Sequence, residues 1–478
     1  MDGLECQEIL LSETRKNKDF RIDSPFFTIH VLHNPNLRYS LIGDCLLSTQ
    51  YGISRDMNTD NIGYQIFRMN EIYHSLCDLQ TEKYVSLSSM ELAEFKLNNG
   101  DVLFNRTNSY ELVGRTGIYY DNGIPQVFAS YLVRLVPDKT KLRPEYLAAF
   151  LNTKYGVQEI RKRSRQSINQ TNVNPEEVKA IEIPLLSDNL QNQIETLYLR
   201  SHSLRLDANQ LYDDTERFLD KTLGLSALKR DYSGISCKSL SESLFVSGRL
   251  DAEYYQPKYD DLFALLDRLP TKRLGEIVDI RKSIEPGSEY YGDEGVPFIR
   301  VSDVSKTGID APSIKIPLTT APSIEKLYPK KNTILLSKDG SVGIAYKMED
   351  DIDAVTSGAF LHLRVKNTKE VMPDYLTLVL NSEVVQLQAE RDTNGAIIQH
   401  WKPGDIANVI IPILPSDVQI EIARKVQESF FLRQKAEKLI EMAVRAVEIA
   451  IERDEAAAVE WLNQANAFII GEGKYESV

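Results

Sequence analysis

Two long stretches of the chain carry apolar or small residues at alternating spacings of four and three. In the first, residues 188–223, the repeated positions are Leu190, Ile194, Leu197, Ser201, Leu204, Ala208, Leu211, Thr215, Phe218 and Thr222. In the second, residues 416–462, they are Val418, Ile422, Leu432, Ala436, Leu439, Ala443, Ala446 and Ala450. This heptad spacing predicts two long helices with a coiled-coil seam. A helix of roughly 36 residues is about 55 Å long, so each is expected to overrun the domain before it; the alternative is a helix that only covers its own domain.

Upstream of each long helix the pattern changes to short apolar runs between turns. Residues 102–104 follow Asn99-Gly100 and residues 333–336 follow Lys331-Asn332, which predicts strands entered from a turn. A short helix is predicted over 144–152 and again over 373–381, and an apolar strand over 180–186 and again over 409–414. Each half of the chain therefore predicts a mixed domain followed by a long helix, in an α+β fold.

The two halves also repeat individual residues in the same order. Arg21-Ile22-Asp23 matches Arg249-Leu250-Asp251 at an offset of 228, and Gly63 matches Gly295 at an offset of 232. Further matches at offsets of 228 or 229 are Pro144 and Tyr146 with Pro373 and Tyr375, Ile183-Pro184 with Ile411-Pro412, and Gln191 with Gln419. Matches in one order at a nearly constant offset indicate a duplicated domain, because solenoid repeats are only roughly 20–50 residues long.

These patterns predict five consecutive segments. They are a first domain over 1–186, a central long helix over 187–225, a second domain over 226–414 that begins with a serine-rich linker over 226–248, a distal long helix over 415–465, and a tail over 466–478.

The composition is that of an ordinary globular protein, with 42% hydrophobic and 26% charged residues. The net charge of −13 excludes a generally basic nucleic-acid coat protein, although it leaves room for a local basic surface. No apolar run reaches the ~18 residues of a membrane helix, and the acidic start lacks a signal-peptide core, so a cytoplasmic protein is expected. The four cysteines and six histidines have no metal-ligand spacing, so no metal site is predicted.

The sequence contains none of the catalytic motifs that have a recognisable spacing. Phosphate loops, dinucleotide-binding glycine patterns, nucleophile elbows and the Asn/Asp-Pro-Pro-aromatic run of amino-methyltransferases are all missing. A nuclease core of scattered carboxylates and lysines has no fixed motif and stays open. The sequence therefore favours a binding module without catalysis of its own.

Three kinds of segment carry the side chains that contact nucleic acid: a polar loop after a strand, a basic segment, and an amide-rich loop. In the first half they contain Asn105, Arg106, Thr107, Asn108, Ser109 and Arg115, then Arg161, Lys162, Arg163 and Arg165, then Asn169 and Gln170. In the second half the candidates are Arg300, Ser337, Lys338, Ser341, Gln399 and His400. Cations neutralise phosphates, and amides and hydroxyls read base edges, so these residues are predicted to bind nucleic acid. An ordinary polar hairpin loop and a solvated helix end are the alternatives.

Several of these segments resemble the specificity subunits of type I restriction–modification systems. Residues 99–118 resemble one segment of that family. The usual opening of the family's recognition domains is resembled by Arg249-Leu250-Asp251-Ala252-Glu253-Tyr254-Tyr255. Two further segments resemble the family: Pro297-Phe298-Ile299-Arg300-Val301-Ser302-Asp303-Val304, and the Ile-Pro-x-Leu sequences that lead into the long helices. The resemblance covers about residues 20–462 and includes the duplication. The helix starts depart from the family, because Gln191 and Gln419 are not preceded by its usual glutamate.

The resemblance implies two target recognition domains, each reading one half of a split double-stranded DNA target. It implies that the two long helices pair antiparallel as a ruler between the half-sites and dock two copies of a methyltransferase subunit, which a restriction subunit joins. The residues expected to form the helix seam and to take part in docking the partner subunits are Leu190, Ile194, Leu197, Leu204, Leu211, Phe218, Ile422, Leu432 and Leu439. No catalysis and no cofactor is expected on this chain, since S-adenosylmethionine, ATP and Mg²⁺ belong to the partner subunits.

Three other functions stay open at this point. They are a specificity subunit of another methylation-based phage-defence system, an interaction scaffold without DNA binding, and an enzyme with an unrecognised nuclease or methylase site. The sequence does not determine the target bases, the spacer length or the methylated base, because recognition domains of similar fold read different sequences.

Overall fold

The computed structural model describes residues 8–15, 20–77, 81–167, 170–228, 235–393 and 399–471. It divides into two units. Unit 1 consists of Met1–Leu206 together with Arg433–Val478, and unit 2 consists of Asp207–Leu432. Each unit therefore combines one of the two duplicated domains with a part of both long helices, and we call that domain the recognition domain of the unit after the resemblance seen in the sequence.

The recognition domain of unit 1 contains fourteen strands and six short helices among its described residues. The strands are β1 (Tyr39–Leu41), β2 (Leu46–Tyr51), β3 (Tyr64–Phe67), β4 (Ile72–Tyr73), β5 (Leu76–Cys77), β6 (Tyr84–Val85), β7 (Val102–Asn105), β8 (Thr107–Asn108), β9 (Thr116–Ile118), β10 (Gln126–Phe128), β11 (Leu132–Pro137), β12 (Arg165–Gln166), β13 (Thr171–Asn172) and β14 (Glu182–Pro184). The helices are α1 (Leu11–Thr14), α2 (Ser24–Thr28), α3 (Ser89–Phe95), α4 (Pro144–Asn152), α5 (Lys154–Arg163) and α6 (Pro175–Lys179).

The main sheet of unit 1 has six strands in the order β2-β11-β7-β9-β5-β4. Its central strands are formed by runs of apolar residues, and β7 and β9 are buried along their whole length, as expected of strands covered on both faces. Helix α4 begins at Pro144 in the first helical turn, where the missing N–H of proline has no bonding partner to lose. The apolar residues of α4 and of the sheet form one core with the parts of the long helices that belong to this unit.

Unit 2 contains eleven strands and six short helices among its described residues. After the first long helix, α7 (Asp188–Leu223), the short helices are α8 (Leu244–Ser247), α9 (Pro257–Leu266), α10 (Leu274–Ile277), α11 (Pro373–Asn381), α12 (Glu383–Asp392) and α13 (Pro403–Ala407). The strands are β15 (Thr271–Arg273), β16 (Val278–Lys282), β17 (Val296–Ile299), β18 (Val304–Ser305), β19 (Gly308–Ile309), β20 (Lys315–Ile316), β21 (Ile334–Ser337), β22 (Ala345–Lys347), β23 (Val355–Thr356), β24 (Phe360–Val365) and β25 (Ile410–Pro412). Two further helices follow: α14 (Ser416–Glu452) and α15 (Glu455–Gly471).

The strand pairings of the two recognition domains correspond. The antiparallel pair β1–β14 recurs as β15–β25, and the antiparallel pair β7–β11 recurs as β21–β24. The parallel pair β3–β10 recurs as the parallel pair β17–β23. The predicted fold, with two duplicated mixed α/β domains each followed by a long helix, is thereby confirmed.

The two long helices run antiparallel within each unit. In unit 1 the Ser201 hydroxyl donates to the Ala436 carbonyl, and in unit 2 the Ser429 hydroxyl donates to the Ala208 carbonyl, both at 2.8 Å. Within each unit the partner numbers decrease as the α7 numbers increase: in unit 1 the Ser187 N–H just before α7 donates to the Glu455 carboxylate at 3.0 Å, and in unit 2 the Lys425 ammonium lies 4.6 Å from the Phe218 ring centroid. The two bonds are counterparts, because Ser429 follows Ser201 and Ala436 follows Ala208 by the same 228 residues.

The heptad positions describe only part of the buried helix surface. Leu190, Ile194, Leu197, Ile422 and Leu439 are buried, whereas Leu204, Leu211, Phe218 and Leu432 are half-buried and Thr222 is exposed. Further buried residues lie beside the seam, at Tyr198, Tyr212, Leu219 and Leu223. Each helix also packs against a recognition domain, so its apolar stripe is wider than the seam of a two-stranded coiled coil.

The distal helix is divided where the pattern predicts a single helix. Helix α14 ends at Glu452 and α15 begins at Glu455. The Asn34 amide donates to the carbonyls of Ile451 and Arg453, at 3.0 and 3.1 Å, and so satisfies the end of α14. The Asp454 carboxylate then accepts from the Ala457 N–H at 2.8 Å and caps the new helix. Helix α15 also continues to Gly471, into the region predicted as a tail.

The first helix ends where predicted, at Leu223, and Gly224 follows with a left-handed φ of 76°. The predicted serine-rich linker contains the one-turn helix α8, and its residues 229–234 lie outside the described ones. None of the helices in the described ranges is long and apolar enough to cross a membrane.

Candidate nucleic-acid interface

The three segments predicted for the first half meet in one small sheet. Strand β8 pairs antiparallel with β13, and β13 pairs antiparallel with β12, which directly follows the basic end of α5. The polar loop, the basic segment and strand β13, which follows the amide-rich loop, are therefore neighbours. We call this region the first reading surface and define it as residues 105–110, 161–167 and 170–172.

Two of the predicted residues form the interior of this surface. Asn105 is fully buried, and its side-chain amide donates to the Leu112 carbonyl at 3.4 Å across the loop. Thr107 is also buried, and its hydroxyl donates to the Asn172 side-chain oxygen at 2.6 Å. Asn105 and Thr107 therefore shape the loop, and the prediction that they contact nucleic acid is not supported by their position.

The outer face of the first reading surface consists of hydroxyl, amide and guanidinium groups. Ser109, Arg165, Gln166 and Gln170 are exposed there, and Asn108 is half-buried. An open cavity of about 570 Å³ adjoins them, with Tyr110, Arg161 and Arg165 in its lining. The Arg161 guanidinium lies 5.3 Å from the Tyr110 ring centroid, and that of Arg106 lies 5.2 Å from the Tyr51 ring centroid. Stacking on a ring restricts the orientation of each guanidinium, and an oriented guanidinium suits the recognition of a phosphate or a base.

Arg163 is held inside the protein. Its guanidinium is ion-paired with Glu159 one turn earlier, lies 4.0 Å from a Glu177 carboxylate oxygen, and donates to the Ala180 carbonyl at 3.2 Å. Burial lowers the pKa of Arg163 from its usual value. The position of Arg163 does not support the prediction that it contacts phosphate, because its two terminal nitrogens are directed to protein acceptors.

The other predicted cations separate into two groups. Lys162 lines a different cavity, of about 220 Å³, together with Glu159 and Glu182, and burial lowers its pKa. Arg115 lies near His74, where its charge helps to lower the pKa of that histidine. Of the basic residues predicted in this half, Arg161 and Arg165 are thus the ones that the first reading surface brings together with Arg106. Asn169 lies outside the described residues.

The second half has a smaller counterpart. Asp339 forms an antiparallel bridge with His400, the Gly340 N–H donates to the Gln399 carbonyl at 3.0 Å, and the His400 ring lies 2.8 Å from the Asp339 carboxylate. Ser341, Gln399 and His400 are exposed. We define residues 337–343 and 399–401 as the second reading surface; residues 394–398 of the predicted amide-rich loop lie outside the described ones.

Three predicted residues of the second half are occupied by internal contacts. Ser337 is fully buried, and its hydroxyl donates to the Ser341 carbonyl at 2.6 Å. The Lys338 ammonium is ion-paired with its neighbour Asp339. Arg300 closes a turn at the end of β17, where its guanidinium approaches the Asp303 carboxylate at 3.5 Å and the Ser313 hydroxyl at 3.3 Å. Ser337 therefore stabilises the recognition domain and is not exposed to a ligand. The Arg300 side chain is 37% exposed, so its contact with nucleic acid stays a prediction.

An arginine near the start of each recognition domain anchors the segment that leads into its reading surface. Arg21 is almost fully buried, forms a bidentate pair with Asp23, and donates to the carbonyls of Arg163 and Ser164 at 2.7 and 3.0 Å. Those carbonyls lie where α5 ends and β12 begins. The hydrogen bonds from Arg21 hold the pKa of the Asp23 carboxyl below its usual value. Arg249 repeats this arrangement with Asp251 and with the Asp392 carbonyl at 3.5 Å.

Sequence reasoning missed the aromatic and acidic partners of the basic residues. Tyr51 and Tyr110 orient Arg106 and Arg161. These contacts form only in the folded loops, so the spacing of the residues in the sequence does not predict them. The pairing of Glu159 with Arg163 could have been found, because the two residues are four apart on a predicted helix. Within the described ranges, no three His, Cys, Asp or Glu side chains are grouped so that they could hold a metal ion.

Comparison with known proteins agrees with these features. The family model of the type I restriction modification DNA specificity domain matches residues 269–438. The type I restriction enzyme MjaX specificity subunit of Methanocaldococcus jannaschii is 24% identical over 417 residues, which cover 84% of this chain and 90% of that protein. The EcoBI specificity subunit of Escherichia coli is 24% identical over 165 residues, about a third of each chain. A crystal structure of the type I S subunit from M. genitalium covers 89% of this chain and 97% of that one, with 15% identity and a TM-score of 0.35.

The family match lies in the second half of the chain, and the first half repeats the strand pairings and anchoring residues of that half. The sequence relative from Methanocaldococcus jannaschii spans both halves. The family match and the relative agree with the prediction from sequence: the chain is similar to the specificity subunits of type I restriction–modification systems.

Proposed function

We propose that this chain gives a type I restriction–modification complex its DNA sequence specificity by reading a split target. The observation that carries the proposal is the duplication of a DNA specificity domain within one chain. The family model lies on residues 269–438, and the first half repeats its strand pairings in the same order. Two similar domains with different reading surfaces fit a target of two different half-sites.

The chemistry of the first reading surface supports double-stranded DNA as the ligand. The exposed amides and hydroxyls of Ser109, Gln166 and Gln170 suit base edges, and the guanidiniums of Arg161 and Arg165 suit phosphates. These cations stand out in a chain of net charge −13, where the general surface repels a polyanion. DNA binding is therefore expected to be confined to the reading surfaces.

The exposed side of the helices supports the docking of methyltransferase subunits. The seam residues Leu190, Ile194 and Leu197 are buried inside unit 1, so a partner has to bind the opposite side. Leu199 and Leu206 lie on that side, seven residues apart on α7, and 46% and 45% of their surface is exposed. Because the chain is duplicated, we expect two methyltransferase copies, joined by a restriction subunit.

We further propose that the chain works in the cytoplasm and without catalysis of its own. S-adenosylmethionine, ATP and Mg²⁺ would bind to the partner subunits. Purified chain incubated with S-adenosylmethionine and DNA should transfer no methyl group, and transfer above the level of a protein-free control would contradict this point.

Methylome sequencing of the host with and without the gene tests the proposal. A methylated motif of two short half-sites separated by a fixed spacer should be present with the gene and absent without it. An electrophoretic shift assay with the methyltransferase complex and genomic fragments distinguishes a reader from a scaffold. A complex that assembles but binds all fragments equally would contradict the proposal.

A further inference from the structure

A strained hairpin of unit 1 contacts both long helices. Its strands are β4 and β5, and its two turn residues, His74 and Ser75, both have left-handed φ angles, of 45° and 59°. A two-residue hairpin turn of this kind strongly prefers glycine, asparagine or aspartate, so the conformation is costly for His74 and Ser75. Such a conformation persists where surrounding contacts hold it.

The contacts that hold this turn come from the helices. The Arg205 guanidinium on α7 donates to the Tyr73 carbonyl at 3.2 Å and lies 5.8 Å from the Tyr73 ring centroid. The His74 Nε2 atom lies 3.4 Å from a Glu437 carboxylate oxygen on α14. Burial and the nearby charges of Arg205 and Arg115 lower the pKa of His74 to about 4, so at neutral pH an uncharged imidazole meets the carboxylate.

The equivalent hairpin of unit 2 makes an equivalent contact with different residues. It consists of β18 and β19, and its turn carries Lys306. The Lys306 ammonium donates to a Glu216 carboxylate oxygen on α7 at 2.8 Å and lies 5.0 Å from the Tyr212 ring centroid. In each unit, a hairpin turn therefore binds a glutamate of the long helix that belongs to the other half of the sequence.

Besides the shared apolar core, two separate sets of polar contacts join each recognition domain to the helices. The first attachment is the helix start, where Gln191 accepts from the Arg143 N–H and Gln419 accepts from the Met372 N–H, both at 3.0 Å. The hairpin is the second, and along α7 the distance from Gln191 to Arg205 is fourteen residues, or about 21 Å of helix. The core and the contacts at the helix start hold the domain on the helices, and the hairpin adds a further contact that opposes a change of its angle to the helix.

We propose that the hairpin turns at His74 and Lys306 are positioning elements that set the spacer between the two half-sites. They hold the far end of each recognition domain on the helices, and so define where its reading surface lies along the DNA. The inference rests on the proposed function, because a spacer exists only if the two domains read one split target.

The test uses Lys306→Glu in the complete complex, with the methylome of the host as the readout. Lys306→Glu places two carboxylates against each other at the hairpin of unit 2. We expect methylation to spread to targets whose spacer is one base pair longer or shorter. The preference for the native spacer should fall roughly two- to five-fold, the range of an exposed ion pair, while both half-site sequences stay unchanged.

Two further variants make the result specific. The charge swap Glu216→Lys with Lys306→Glu should restore the native spacer preference. Lys258→Glu is the matched control, because Lys258 forms a similar surface pair with Glu390 at 2.6 Å inside the recognition domain and touches neither long helix in that pair. The control should keep the native spacer. In unit 1, His74→Glu should broaden the spacer as Lys306→Glu does.

Each outcome decides the inference. An active Lys306→Glu complex with the native spacer distribution overturns it, and so does equal broadening in Lys258→Glu. If Lys306→Glu abolishes methylation, the charge swap decides: recovery with the native spacer supports the inference, and continued loss overturns it. A wild-type methylome without any gene-dependent split motif would instead contradict the proposed function, which is a separate result.

Discussion

The two recognition domains share their internal skeleton and differ at the surface that reads. Tyr146 and Tyr375 donate to the carbonyls of Pro184 and Pro412, at 2.6 and 2.8 Å, in the same place of each domain. Asn152 and Asn381 each donate to a strand carbonyl and to a helix carbonyl four residues earlier. Buried hydrogen bonds of this kind are expensive to lose once a partner is removed, which explains why both copies keep them.

The reading surfaces have no such shared set of contacts. Helix α5 leads into the first surface with four basic residues and one acidic residue, whereas its counterpart α12 has three acidic residues and one basic residue. Arg391 of α12 lies over the rings of Tyr254 and Phe263, inside its own domain. The comparison teaches that the skeleton determines where a reading surface is located, and that the side chains on it are free to differ between the copies.

The depth of the anchoring arginines is a second difference. The Arg21 side chain is 2% exposed, whereas that of Arg249 is 22% exposed. Arg21 also lies 4.0 Å from the buried Glu177 carboxylate, and the contact of Arg249 with the Asp392 carbonyl is longer than the corresponding contacts of Arg21. The first domain therefore depends more on its anchor than the second domain does.

The largest effect is expected from lengthening both helices at once. One heptad inserted after Leu206 and another after Leu432, at the boundaries of the two units, leaves the contacts inside each unit intact. Each insertion adds about 10.5 Å of helix, equivalent to roughly three base pairs of DNA. The methylome should show a spacer longer by about three base pairs with unchanged half-sites. An active double insertion with the native spacer would show that partner subunits position the domains.

Replacing the anchoring arginines Arg21 and Arg249 should destabilise the two recognition domains by different amounts. Arg21→Ala leaves the Asp23 carboxylate and the carbonyls of Arg163 and Ser164 without the buried guanidinium that donates to them, so we expect a loss of about 3 kcal/mol in the first domain. Arg249→Ala should cost the second domain about 1 kcal/mol, because its pair is more exposed. Hydrogen exchange of peptides from each domain measures the two losses separately. Equal losses would contradict the difference in burial as the controlling factor.

Replacing single arginines of the first reading surface should change the salt dependence of DNA binding. Arg161→Ala should weaken binding to all sequences and lower the slope of log affinity against log salt by about 0.9, the value for one phosphate contact. Arg163→Ala is the matched control on the same helix, and its slope should equal that of the wild type, because Arg163 is bound to Glu159. The reverse pattern would mean that the helix end rearranges on DNA.

The smallest effect is expected where the two units are most alike. Ser201→Ala and Ser429→Ala each remove one hydrogen bond between the helices, so each should cost about 1 kcal/mol and the two costs should agree. Chemical denaturation followed by hydrogen exchange in the two units provides the comparison. A loss confined to one variant would show that the helix pair is not equivalent in the two units.

The duplication and the long helices could be predicted from the sequence because they depend on periodicity. A heptad and a repeated residue order survive variation at single positions, and the repeated order marks Tyr146 and Gln191 as residues that both halves keep. The break at Arg453 could not be predicted in this way, because it depends on Asn34, more than 400 residues away in the sequence. The width of the buried helix face likewise depends on the domain packed against it.

The candidate site was predictable as segments and not as side chains. The polar loop and the basic segment were found from composition, and the structure joins both with β13 in one surface. Composition does not show which way a side chain points, so it predicts Asn105 and Arg163 as readers although Asn105 is buried and Arg163 is ion-paired. The direction of each side chain is determined by the strand pairing and by acidic residues on neighbouring helical turns.

The most direct test of the account is a domain exchange read by methylome sequencing. Residues 21–186 of this chain are replaced by the first recognition domain of another specificity subunit, and the complex is expressed with its methyltransferase. The account predicts that one half-site changes to that of the donor, while the other half-site and the spacer stay as in the wild type. A change in both half-sites would contradict the central claim that each half of the duplicated chain reads its own half of the target.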